Sequence, residues 1–114
     1  MTQVLIVRSK NGELQSCLAD GHACFSVKGK DIVCAAVTTL LRTTLEVLEN
    51  IDGINVTADL ASRGKLVFNV EHDDSISIGS LNKVIFAGDF LETGMQRLAR
   101  EYPKNVTVRV QISN

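Results

Sequence analysis

Twice along this chain of 114 residues, a pair of short strand-like stretches gives way to a long stretch whose apolar residues keep a period of 3.6. That repeated change of period restricts the fold more than any single residue does. Strands that arrive in pairs across tight turns build an antiparallel sheet, and a helix apolar along one stripe must lay that stripe on a sheet face.

The first pair starts with the apolar run Val4–Val7, which ends at Arg8-Ser9-Lys10-Asn11-Gly12. Asn-Gly is a strong hairpin signal because both residues tolerate positive φ. Glu13 to Ala19 then alternates, which places Leu14, Ser16 and Leu18 on one face and Gln15, Cys17 and Ala19 on the other. From Ile32 to about Asn50 the residues Val33, Val37, Leu40, Leu41, Leu45 and Leu48 keep helical spacing. Asp31 is a suitable N-cap, and Asn50-Ile51-Asp52-Gly53 supplies the stop.

The second pair, Ile54–Leu60 and Lys65–Val70, is joined by Ala61-Ser62-Arg63-Gly64. Glu71–Ser75 reads as a polar loop. Leu81, Val84, Ile85, Gly88, Leu91, Met95, Leu98, Ala99 and Tyr102 then hold a helical stripe until Pro103 ends it. Gly88 and Gly94 within that stripe each cost about 1 kcal/mol against Ala, so close packing or a bend is implied. Val106 to Ile112 is a last alternating strand. The order ββαββαβ describes an α+β fold: a two-layer sandwich, mainly antiparallel sheet with two helices, in one domain spanning 1–114.

Composition excludes several functions. A formal charge of −1 gives no broad case for nucleic acid or an anionic membrane, and four Phe, one Tyr and no Trp make a poor base-stacking surface. No apolar run approaches the roughly 20 residues of a membrane span. The opening Met1-Thr2-Gln3-Val4 carries no charged region ahead of its apolar run and reads as a strand, not a signal peptide. An odd count of three cysteines argues against a disulfide framework, and the expected setting is cytoplasmic.

Chemistry concentrates between Gly21 and Thr38. Cys34 lies about one turn inside the first helix, where unpaired backbone N–H groups and the positive end of the helix dipole favour a thiolate. His22 lies across the intervening loop, where it can approach Cys34 as a base. Asp31 can orient His22 or a substrate as well as cap the helix. Thr38, one turn beyond Cys34 on the same face, offers a hydroxyl, or bonds back to the Cys34 carbonyl. Gly21 and Gly29 read as hinges of the loop between them. On residue type alone two other readings stay open: a zinc set from Cys17, His22, Cys24 and Cys34, whose spacing matches no common zinc pattern, and a Cys24/Cys34 redox pair. His72, beside Asp73 and Asp74, reads as a solvated loop residue.

The same residues resemble a known signature. Gly21-His22-Ala23, a short loop, and Gly29-Lys30-Asp31-Ile32-Val33-Cys34-Ala35-Ala36-Val37 look like the paired motif of the ribosomal-processing cysteine protease (Prp) family. The likeness extends to the N-terminal hairpin, the long first helix, and the Glu101-Tyr102-Pro103 end of the last helix before a valine-rich strand. It implies a cytoplasmic bacterial endopeptidase that uses no cofactor. Family members remove the N-terminal extension of a large-subunit ribosomal protein, cut after Phe in a short hydrophobic motif, and are typically homodimers. By position His22 matches the general base, Cys34 the nucleophile, Asp31 a supporting acid, and Gly21 and Gly29 the loop hinges. Two departures stand out: Thr38 where the family usually has Ser, and Cys24 on the loop. Two other functions share these residues: a non-catalytic, ribosome-associated peptide-binding module, and a thiol redox protein working through Cys24 and Cys34.

Overall fold

The computed structural model describes residues 1–21, 30–61 and 64–113, with the backbone alone at Lys30 and Asp31. Its elements run β1 (Thr2–Ser9), β2 (Leu14–Asp20), α1 (Lys30–Glu49), β3 (Asn55–Asp59), β4 (Lys65–Glu71), α2 (Ile78–Glu101) and β5 (Val106–Ser113). This is the expected ββαββαβ order. The five strands form one sheet in the order β3-β4-β2-β1-β5. All neighbouring pairs are antiparallel except β1 and β5, which run parallel from Thr2 opposite Val106 to Ser9 opposite Ser113.

Ile6, Cys17 and Phe68 lie in one row across β1, β2 and β4, and all three are fully enclosed. Val37, Leu41 and Leu48 of α1 and Val84, Leu91 and Met95 of α2 cover that row. The expected alternation of the second strand needs correcting. Val7 stands opposite Ser16 but Arg8 stands opposite Leu14, so Gln15 is an extra residue in a β-bulge. The bulge flips the face, and Leu14 is buried with Cys17 and Ala19 rather than sharing a side with Leu18.

Gly88 and Gly94 of α2 both mark close approach. A Cβ on Gly88 would lie 3.0 Å from the Arg8 guanidinium, and one on Gly94 would lie 2.9 Å from Leu40. The Leu40–Gly94 contact, with Val47 near Phe86 further along, shows that the helices pack antiparallel. The start of α1 therefore lies beside the end of α2. The helix boundaries also differ from those expected of the sequence. α1 already includes Lys30, so Asp31 occupies the first turn rather than the cap. α2 begins three residues before Leu81 because Ser77 caps it, its Oγ accepting from the Ser80 N–H at 3.1 Å.

Candidate active site

Helix geometry places Cys34 directly behind a row of unpaired donors. The N–H groups of residues 30–32, in the first turn of a helix that begins at Lys30, have no carbonyl four residues back within the helix or its cap, and they carry its positive end. A helical side chain leans toward the N-terminus, so the Cα–Cβ bond of Cys34 tilts toward that end of the helix. Cys34 forms no disulfide and is 6% exposed, on the stripe that Val33 and Val37 turn to the core. Thr38, half-buried, follows one turn later.

The loop that joins β2 to this helix leaves the sheet at Gly21, which has φ +82°. A Cβ there would collide with the Met1 carbonyl oxygen, so no other residue fits without moving the backbone. The Gly21 N–H donates to the Gly64 carbonyl at 3.0 Å and to Asp20 Oδ1 at 2.9 Å. The turn between β3 and β4 and the first residue of the chain therefore seat the root of the loop. Sequence reasoning missed both, although Gly64, a glycine closing a hairpin turn, was a visible signal. His22, Cys24 and Gly29 lie outside the described residues, as does the side chain of Asp31.

The remaining chemistry-bearing side chains are elsewhere. Burial pushes the Cys17 thiol up to about 12, so it stays protonated in the core and is neither nucleophile nor ligand. His72 follows the far end of β4, whereas Lys65 at its near end pairs with Asp20. At about 3.3 Å per residue, the seven-residue strand puts His72 on the order of 20 Å from Gly21. There it faces Glu13 at 3.5 Å, its Nδ1 2.9 Å from the Asp73 carbonyl oxygen. Among the described residues no group of three or more His, Cys, Asp or Glu is placed to hold a metal, and no helix is long and apolar enough to cross a membrane. An apolar cavity of about 470 Å³ opens between the helices at Val47, Phe86 and Phe90. It lies about 20 Å along α1 from Cys34, at 1.5 Å per residue, and so is separate from the thiol.

A thiol near a helix start, on two helices packed against one sheet, is an arrangement that cysteine hydrolases use. The family profile described as "Cysteine protease Prp" matches residues 1–107, and the chain belongs to that family of cysteine proteases. Ribosomal processing cysteine protease Prp of Bacillus subtilis (strain 168) is 26% identical over 112 residues, which cover 98% of this chain and 99% of that protein. Among solved structures, SMU.848 from Streptococcus mutans superposes with a TM-score of 0.79 at 30% identity, covering 99% of this chain and 96% of that one. The Prp protease of S. aureus, solved in complex with a substrate peptide, shares the fold with a TM-score of 0.76 at 18% identity, covering 97% of this chain and all of the other.

Proposed function

We propose that this protease is an endopeptidase that removes the N-terminal extension of a bacterial large-subunit ribosomal protein, cutting after Phe in a short hydrophobic motif. The position of Cys34, one turn into α1 and behind the helix's unpaired N–H groups, carries the reading. The names of the relatives support it: the B. subtilis protein is a ribosomal processing protease, and the S. aureus protease has been solved with a substrate peptide and with a covalently linked product peptide.

In the proposed mechanism His22 takes the Cys34 proton and the thiolate attacks the scissile carbonyl carbon. Negative charge moves onto the carbonyl oxygen, where backbone N–H groups at the start of α1 receive it. The tetrahedral intermediate collapses, the C–N bond breaks, and His22 returns the proton to the departing amine. Water, deprotonated by the same imidazole, then attacks the thioester, releasing the new carboxylate and restoring the thiol. Asp31 supports His22 or the incoming peptide, the Thr38 hydroxyl lines the same helix face, and Gly21 and Gly29 bound the loop as its hinges. The enzyme acts in the cytoplasm as a homodimer, on a peptide rather than on nucleic acid.

A synthetic peptide carrying the host protein's extension tests this by mass measurement of its products. The expected result is a single cut after Phe, lost in Cys34→Ala and reduced about 10²- to 10⁴-fold in His22→Ala. Undiminished cleavage by Cys34→Ala overturns the assignment.

A further inference from the structure

β3 stands at the end of the sheet order, so one of its long sides has no neighbouring strand among the described residues. The Gly21 N–H donates to the Gly64 carbonyl, and that bond fixes the alternation across the sheet. Gly21 opposite Gly64 continues the register of Asp20 opposite Lys65, so Leu66 and Phe68 turn their N–H and carbonyl groups to β2. Val67, Asn69 and Glu71 turn theirs to β3, where Asp59, Thr57 and Asn55 meet them. Val56 and Ala58 therefore point both backbone groups outward, and among the described residues those groups have no partner.

This open edge lies on the Cys34 side of α1. Leu40 meets Gly94, and Thr43 and Val47 share a cavity with Phe86 and Phe90, so these residues mark the flank of α1 that faces α2. At about 3.6 residues per turn, Cys34 and Thr38 come out on the opposite flank. α1 contacts β3, whereas α2 contacts β5, β1 and β2, so the Cys34 flank overhangs the β3 edge. The two elements run antiparallel through the turn that joins them. Back along α1 from Glu49 to Cys34 is about 22 Å, and forward along β3 from Asn55 to Leu60 is about 17 Å. Cys34 thus stands near the Leu60 end of the strand. Beneath it, the enclosed row of Cys17 and Phe68 ends in Ala58, which is exposed, and a lone methyl group leaves the trough between strand and helix open.

We propose that the open edge of β3 holds the substrate as an added strand, through residues about three or more positions from the bond that Cys34 cuts. The proposal rests on the endopeptidase reading above and deepens it by naming the surface that binds the extension. An extended peptide presents N–H and carbonyl groups at the same two-residue repeat as Val56 and Ala58. Its alternate side chains then stand beside Val56 and Ala58 under the helix flank, which suits a hydrophobic motif. The others stand beside Thr57 and Asp59 and face water. α1 lies roughly 10 Å above the sheet, the width of a helix, so about three extended residues carry the peptide from this edge up to the thiol. β5, the opposite edge, is four strand spacings away, on the order of 19 Å, beneath α2.

Synthetic peptides carrying the host protein's extension test this with the wild-type enzyme. Methylating one peptide nitrogen at a time should lower kcat/KM about 3- to 10-fold at every second residue beyond the third from the cut, and leave the residues between unaffected. Ala58→Pro removes an outward N–H and no ladder bond, so it should keep its unfolding midpoint. It should lower cleavage of the full extension by a similar factor, through KM, and spare a peptide with two residues on either side of the cut. In Cys34→Ala, added peptide should slow hydrogen exchange at Val56 and Ala58 and leave β5 unchanged. A methylation profile without the two-residue repeat, or exchange at β3 that the peptide does not slow, overturns the proposal while cleavage after Phe stands. Slowing that needs no peptide and grows with protein concentration places a second copy on the edge and overturns it equally. If the wild-type enzyme does not cut the extension, the endopeptidase reading fails instead, and the exchange measurement still decides the edge.

Discussion

Arg8 ties the first hairpin to the second helix, and a four-protein cycle with Gly88 measures how tightly. Its side chain is 9% exposed and donates to the Gly12 carbonyl, the Ile85 carbonyl, Asp89 at 2.6 Å and Glu92 at 2.9 Å. Burial is the largest single influence on the guanidinium and opposes its charge, but the hydrogen bonds and charges of Asp89 and Glu92 together outweigh it and raise the pKa. In Arg8→Ala the Gly12 and Ile85 carbonyls lose donors, while Asp89, 56% exposed, and Glu92, 32% exposed, remain wet. The cost therefore lies toward the low end of a broken buried pair, about 3 kcal/mol.

Gly88→Ala has two opposing parts. Alanine gains about 1 kcal/mol of helix propensity, and its Cβ overpacks a guanidinium that five hydrogen bonds hold in place, costing about 2 kcal/mol. With Arg8 present the change should destabilise by about 1 kcal/mol. With Arg8→Ala the obstruction is gone and the same change should stabilise by about 1 kcal/mol, a coupling of about 2 kcal/mol. Urea unfolding of the four proteins at a shared m-value reads this directly. If Gly88→Ala shifts stability equally in both backgrounds, the close approach does not govern that position and the reasoning fails.

Two further outcomes follow from the site. Gly21→Ala should cost about 2 kcal/mol or more, from its positive φ and the Met1 carbonyl together, and should lower peptide cleavage beyond what the lost folded fraction explains; Gly94→Ala, meeting only the movable end of Leu40, serves as the control. Iodoacetamide at pH 7 should label Cys34 and leave Cys17 unmodified in the folded protein, as peptide mapping will show. For Cys17 the folded pKa is raised from 9.0 to about 12, so its contribution is complete below pH 9 and disappears as pH rises from there toward 12. Cys17→Ala should remove that share of the alkaline loss, which paired unfolding curves across this range will test.

The helices, the hairpins and the order of elements were legible because each is written in local periodicity. Long-range matters were not. Nothing near Gln15 announces a bulge, and Arg8, at the register shift, has its partners on distant α2. Arg8 itself read as the polar end of a strand, since burying a guanidinium becomes tolerable only when partners 81 and 84 residues away arrive. The parallel pairing of β5 with β1 is likewise invisible to alternation, which is the same in either direction. At the candidate site, Cys34 was legible from its place in a helix. The Met1 carbonyl and the Gly64 turn that seat Gly21 are assembled only by the sheet.

The β1–β5 pairing has a consequence for how the enzyme is made. The Thr2 N–H bonds to the Asn105 carbonyl at 2.8 Å, so the first strand acquires its outer neighbour only when a loop of about 100 residues closes. Such non-local pairing is slow and falls late in folding. β2 can flank β1 early, but β5 reaches β1 only across the whole intervening chain, and the placement of the Met1–Thr2 segment waits for it. That segment is also what confines Gly21. The root of the loop that precedes α1 thus gains its footing only once β5 has paired with β1.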